Sequence, residues 1–207
     1  MIKHNKIKEY KLQARTIIFN NLFNILLFQL LVLLVSNLFI SLLSELFLKN
    51  EYDQNTLINI SYISNIFISL PLNYGYSTYL YNSINNTNNL KDIISGFNKN
   101  YIKIIGCLIL SSPIIISNNY IIIISFILSI IFMFTYFVLI KYPNLDFYST
   151  ITKTLELSKN NRLNAIIIQL SFIPIILLSM VLFFIPLIYI IPYMALTELL
   201  FINDIDN

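Results

Sequence analysis

Six apolar runs, at about residues 17–46, 57–82, 104–117, 120–140, 163–184 and 186–202, leave only short polar connectors between them. One crossing of ~30 Å of hydrocarbon takes ~20 apolar residues, so the pattern predicts about six transmembrane helices. Composition agrees, because 57% apolar residues against 11% charged and a mean hydropathy of +0.74 lie outside the range of soluble domains. The expected fold class is all-α, an integral membrane helical bundle forming a single polytopic domain over residues 1–207. The third run is short and contains Pro113, so a half-inserted segment is an alternative there. The connector Ser117 to Asn119 is brief enough to predict a tight antiparallel hairpin between the third and fourth helices.

Basic residues near span ends stay on the cytoplasmic side. With the N-terminus inside, residues 1–16 form a basic cytoplasmic tail. Twelve of the thirteen Lys and Arg residues then fall inside, with Lys49 outside. Six spans return the C-terminus to the cytoplasm, and five would leave it outside. The expected location is the plasma membrane, multi-pass, with both termini cytoplasmic and anionic lipid headgroups as partners on that face. The apolar stretch from Ile17 to Leu48 is too long for the core of a cleavable leader, which predicts a retained first span.

Little in the chain carries chemistry. Cys107 is the single cysteine and lies in an apolar segment, which suits a small packing residue and excludes a disulfide framework or zinc spacing. His4 is the single histidine and sits in the basic tail, which removes most His-dependent catalysis. Gly75, Gly96 and Gly106 are too scattered for a phosphate-cradling loop. The reading is a non-enzyme with no cofactor, no metal site and no nucleic-acid partner.

Two connectors have helical periodicity. In NLKDIISGFNK the residues Leu90, Ile93, Ile94 and Phe97 recur on one face, predicting a short amphipathic helix in the interface over about 89–98. In PNLDFYSTITKTLELSKNNR, Asp146 is a candidate N-cap, and Phe147, Ile151, Thr154 or Leu155, and Ser158 share a face. A second cytoplasmic amphipathic helix is expected over 146–160, lying on the membrane or closing the inner end of the bundle.

Three blocks, LPLNYGYSTYLYNSINNTNNLKDIISGFNKNY, LIKYPNLDFYSTITKTLELSKNNRLNAIIIQLSFIP and IPYMALTELLF, carry a family resemblance over about residues 70–207. Their order and spacing, with Gly75, Leu90, Asp92, Gly96 and Phe97, the Ser-Phe-Ile at Ser171 to Ile173, and Pro192 with Tyr193, resemble the uncharacterised bacterial integral membrane family called domain-of-unknown-function family 975. The resemblance implies a multi-pass membrane fold and brings no established activity.

Polar side chains in hydrocarbon are costly, so their placement is informative. On the second span Tyr62, Asn65, Ser69, Asn73 and Tyr76 follow helical steps, with Pro71 and Gly75 in the same stretch able to bend the helix or free a carbonyl. On the sixth, Tyr189, Tyr193 and Thr197 repeat at i, i+4 and i+8. The first span adds Asn20, Asn24, Gln29 and Asn37, and the fourth Ser125, Ser129 and Tyr136. These groups can act as interhelical glue, each bond contributing ~0.6 kcal/mol, or the faces of spans two and six can enclose a polar cavity. The abundance of Asn throughout the chain favours glue.

Two acids remain. Glu45 has Lys49 four residues on, which predicts a simple helical pair. Glu198 falls three residues from the inner end of the sixth run, shallow enough to pair with Arg162 or Lys103 as an anchor. The leading functional expectation is an accessory or envelope-organising protein that binds another membrane protein or lipid. The alternative is a small permease or exporter subunit with a polar cavity between spans two and six.

Overall fold

The computed structural model describes residues 4–48, 60–111, 122–182 and 186–206, all helix and connecting turn without a strand among them. The helices are α1 (His4–Asn20), α2 (Leu22–Leu48), α3 (Leu70–Ile84), α4 (Tyr101–Ser111), α5 (Ile122–Lys141), α6 (Phe147–Lys159), α7 (Arg162–Leu170), α8 (Ile173–Val181) and α9 (Leu187–Asp206). A helical stretch over 60–64 and a π-helical turn (Asn65–Ser69) run directly into α3, and a 3-10 helix (Leu90–Phe97) precedes α4. By length and composition three segments can cross a membrane: Leu22–Glu45, Arg162–Val181 and Leu187–Asp206. The 3-10 helix and α4 make a fourth if their pair, bent by 79°, is one broken span or re-entrant loop. The expected hairpin at Ser117 to Asn119, the Pro113 region and Lys49, with its pairing to Glu45, lie outside the described residues.

The basic N-terminal segment is a helix rather than a tail. Ile7, Tyr10, Ala14 and Ile18 are buried at near-3.6 spacing, and they lay α1 along α9. Tyr10 stacks obliquely on Phe201 with centroids 6.2 Å apart. Lys11 donates to the Ser171 carbonyl at 2.9 Å and stands 4.2 Å over the Phe172 ring. The opposite side of α1 presents Lys8, Glu9, Gln13 and Arg15 to the surroundings. Asn21 joins α1 to α2 with hardly a break, since Ile25 N–H still donates to the Asn21 carbonyl.

The helix at 89–98 forms as a 3-10 helix, but its place is against α3. Asn89 accepts from Lys91 N–H, and Asp92 accepts both from Asn89 N–H at 2.9 Å and from the Asn82 amide at 2.9 Å. Ile93 then passes Gly75 and Gly96 passes Pro71, so the segment runs antiparallel to α3. Neither glycine tolerates a side chain, because a Cβ on Gly75 would overlap the Ile93 carbonyl and one on Gly96 the Pro71 carbonyl. Leu90, Ile94 and Phe97 face outward, leaving the predicted apolar face away from the bundle.

Pro71 has the expected consequence. It cannot donate to the Phe67 carbonyl four residues earlier, and the Tyr101 hydroxyl donates to that carbonyl at 2.8 Å instead. Next to it Leu70, Tyr74, Ile104, Cys107, Leu108 and Leu139 form a small core between α3, α4 and α5, in which Cys107 is fully buried. The larger core gathers α1, α2, α3, α5, α7 and α9 around Phe28, Tyr79, Phe134, Phe137 and Phe201.

α6 covers the expected range and starts at Asp146, whose carboxylate accepts from Ser149 N–H at 3.4 Å. Its buried line is Thr150, Thr154 and Ser158, one step round from the face the apolar residues predict. The hydroxyls of Thr150 and Thr154 are spent on carbonyls four residues back, which lets them pack as small groups.

Candidate functional site

The central feature is a cavity of about 310 Å³ lined by Gln29, Asn73, Tyr76, Ser77, Met133, Tyr136, Gln169, Ile191, Met194, Ala195 and Glu198. α2, α3, α5, α7 and α9 each contribute to it, so it lies within the bundle. α9 offers Ile191, Met194, Ala195 and Glu198, one helical face by their spacing. α3 offers Asn73, Tyr76 and Ser77 opposite. Asn73 and Ile191 are exposed while Gln29 and Tyr76 are buried, so the cavity has an open and a closed side.

Glu198 is half-buried, and its partner is an amide. The Gln169 Nε2 donates to its Oε1 at 3.4 Å and also approaches the Met133 sulfur at 3.9 Å. No ion pair reaches Glu198 among the described residues. The basic groups proposed for it are elsewhere: Lys103 donates to the Pro143 and Leu145 carbonyls at 2.7 and 2.9 Å, and Arg162 is exposed on the first turn of α7. α9 continues past the apolar run to Asp206, which places Glu198 eight residues, about 12 Å, from the helix end. The acid is therefore an unpaired carboxylate facing a polar cavity.

The remaining polar lining is largely unused. Tyr76 donates to the Ile25 carbonyl at 3.4 Å, a weak bond. Gln29, Asn73 and Tyr136 line the cavity, and no side-chain hydrogen bond of theirs occurs among the described residues. Their polar atoms are open to the cavity rather than sealed in the protein, since none of them is a buried polar atom without a partner.

Of the residues singled out by sequence, Gln29, Asn73, Tyr76, Tyr136 and Glu198 meet in the cavity, and Tyr62, Asn65, Ser69, Tyr189, Tyr193 and Thr197 are not in its lining. The second-span stripe is broken by the π-helical turn: Leu70 N–H donates to the Asn65 carbonyl, five residues back. The added residue turns Tyr62 and Asn65 about 100° away from the face that continues through Asn73. Ser69 is buried with no partner for its hydroxyl among the described residues. On α9 the tyrosines face the other way. Tyr193 packs edge-on against Phe172 at 5.2 Å, Tyr189 lies 5.9 Å from Tyr193, and Thr197 donates to the Tyr193 carbonyl at 2.7 Å.

Gln169, Ser77, Met133 and Met194 escape a reading by stripes. Gln169 carried a signal of its own, as the single amide between Ala165 and Leu170 in an otherwise apolar run.

A second cavity of about 290 Å³ lies between α1, α3 and α9, lined by Lys6, Glu9, Tyr10, Gln13, Ile84, Leu200, Asn203 and Asp204. Its charges answer one another: Lys6 pairs with Asp204 at 2.9 Å, and the Tyr10 hydroxyl donates to the same carboxylate at 2.6 Å. Burial, followed by that hydrogen bond, holds the Tyr10 phenol well above its ordinary range. Comparison of the chain with family models, curated proteins and solved structures gave no match.

Proposed function

We propose that this is a multi-pass membrane protein that binds a small polar solute in the cavity between α3 and α9, as a small permease or exporter subunit. The observation that carries the reading is Glu198, a carboxylate without a cationic partner that shares a 310 Å³ cavity with Gln29, Asn73, Tyr136 and Gln169. Ligand sites are mostly apolar cavities of ~300–1,000 Å³ with a few convergent polar groups, and ionisable groups in membrane bundles concentrate on solute pathways. Interhelical glue explains the lining less well, because glue requires the amides to be bonded across helices. The reading includes six spans, a plasma-membrane location and cytoplasmic termini, all resting on the distribution of Lys and Arg. Membership of family 975 would fit it, since that resemblance implies a multi-pass fold alone.

The accessory reading keeps one observation: Tyr148 and Leu163, in the first turns of α6 and α7, are 74% exposed. Both would be covered by a partner or by lipid.

A cysteine at Asn73 in a Cys107→Ser background tests the choice. Rapid reaction with a membrane-impermeant thiol reagent is expected there, and slow reaction at Thr197→Cys, which faces away from the cavity and is fully buried. Equal, slow reaction at both positions would put Asn73 in a sealed helix contact and end the solute reading.

A further inference from the structure

Resting on that solute reading, we infer that the cavity takes a small organic cation, a protonated or alkylated amine, with Glu198 as its counter-charge. Three features of the lining choose this class. Among the described residues the single formal charge facing the space is negative, and no Lys, Arg or His lines it. An anion would meet the Glu198 carboxylate with nothing to offset it, a neutral solute makes no use of a charge there, and a cation gives the carboxylate the counter-ion that water or a proton must otherwise replace.

A metal ion fits poorly. Among the described residues no group of three or more His, Cys, Asp or Glu side chains converges, whereas hard divalent cations take six or more oxygen ligands, with carboxylates prominent. An ammonium group needs less: one carboxylate, a few neutral acceptors and an aromatic wall.

The cavity supplies each. The Gln29, Asn73 and Gln169 amide oxygens and the Ser77 hydroxyl are neutral acceptors in its wall. Tyr76 and Tyr136 contribute aromatic rings, which attract a cation when it is taken out of water. Met133, Ile191, Met194 and Ala195 form an apolar patch for the hydrocarbon part of an amine, and methionine adapts to irregular shapes. Gln169 has a positioning role. Its Nε2 holds Glu198 Oε1 at 3.4 Å, which leaves the second carboxylate oxygen for the ligand.

Three probes of one shape and different charge test the inference: benzylammonium, benzyl alcohol and benzoate. Each is added to the Ser77→Cys, Cys107→Ser protein in nanodiscs, and the rate of thiol labelling at position 77 is followed. Benzylammonium is expected to halve the rate at a concentration at least tenfold lower than benzyl alcohol, with benzoate weakest. Glu198→Gln should erase the advantage of the cation and bring the three probes together. Glu198→Asp, which keeps the charge on a shorter stem, should retain part of it, and guards against loss of folding in the glutamine variant. Protection by benzyl alcohol or benzoate as effective as by benzylammonium would overturn the cation assignment while leaving a solute cavity. Labelling that none of the probes slows would overturn the assignment too. An absence of labelling at position 77, together with slow labelling at Asn73→Cys, would remove the cavity reading itself.

Discussion

Glu198 and Asp206 stand two turns apart on α9 and occupy opposite environments. Asp206, with 3% of its side chain exposed, is held by Lys141 at 2.7 Å, by the Tyr142 hydroxyl at 2.6 Å and by Lys153 at 4.0 Å. Glu198 has one amide at 3.4 Å and a cavity in front of it. The saturated carboxylate ties the ends of α5, α6 and α9 together. The unsaturated one leaves a charge unanswered, and a fold selected for stability alone would not keep it there. The C-terminal end of the bundle is thus tied by charge pairs, while the carboxylate two turns earlier makes none among the described residues.

Removing each acid should separate the two roles. Asp206→Ala removes the nearly covered carboxylate that Lys141 and Lys153 share, and breaking a buried pair from one side costs ~3–5 kcal/mol. Unfolding of purified protein in mixed micelles should show that loss. Glu198→Gln keeps the shape and removes a poorly solvated charge, so stability should stay within ~1 kcal/mol of the parent or rise. If the two variants lost stability equally, the contrast between the sites would be void.

The next effect in size concerns the wall behind the cavity. Gly96→Ala presses a methyl group onto the Pro71 carbonyl, and Gly75→Ala does the same to Ile93. Overpacking of this kind costs ~1–3 kcal/mol, towards the upper end because backbone atoms on both sides cannot rotate away. Since α3 carries Asn73, Tyr76 and Ser77, either variant should also weaken protection by benzylammonium. Gly106→Ala is the control: there the neighbour is the Phe147 ring at 3.0 Å, a side chain that can yield, and the loss should be smaller.

Tyr142 gives a comparison by pH. The hydrogen bond to Asp206, ahead of burial, pushes its phenol from near 10 up to about 12. A raised pKa means that the folded state holds the proton more tightly, so its contribution is complete below pH 10 and is lost as pH climbs towards 12. Stability should therefore fall across that alkaline window in the parent and fall less in Tyr142→Phe. Tyrosinate absorbance during the titration would show the late-ionising group directly. An unchanged alkaline slope in the phenylalanine variant would detach Tyr142 from the Asp206 latch.

The helical class, three of the membrane-length runs and the N-cap at Asp146 are visible in the sequence because each rests on local spacing. Other features rest on register or on distant partners. The π-helical turn at Asn65–Ser69 shifts the stripe by one residue, and no residue type announces it. Gly75 and Gly96 stand out as rare glycines, yet their common purpose emerges only when the 3-10 helix folds back on α3. In α1 the basic composition hid a buried line of Ile7, Tyr10, Ala14 and Ile18, whose apolar partners lie nearly two hundred residues away. α9 outruns its apolar run and continues through Asn203, Asp204 and Asp206, because polar residues at a span end extend a helix as readily as they terminate it.

The smallest effect belongs to Lys6, and it sharpens the difference between a latch and a surface pair. Its bond to Asp204 is as short as many buried ones, at 2.9 Å, but the two side chains are 55% and 46% exposed. Water and salt screen such a pair, and each side chain gives up rotamer freedom to make it. Tyr10 continues to donate to Asp204 when the lysine is gone, so the carboxylate keeps a partner. Lys6→Ala should accordingly shift unfolding less than any other change named above, and the shift should vanish at high salt. A salt-insensitive loss comparable with that of Asp206→Ala would mean that the charged edge of the α1–α9 contact is as dry as the Asp206 latch.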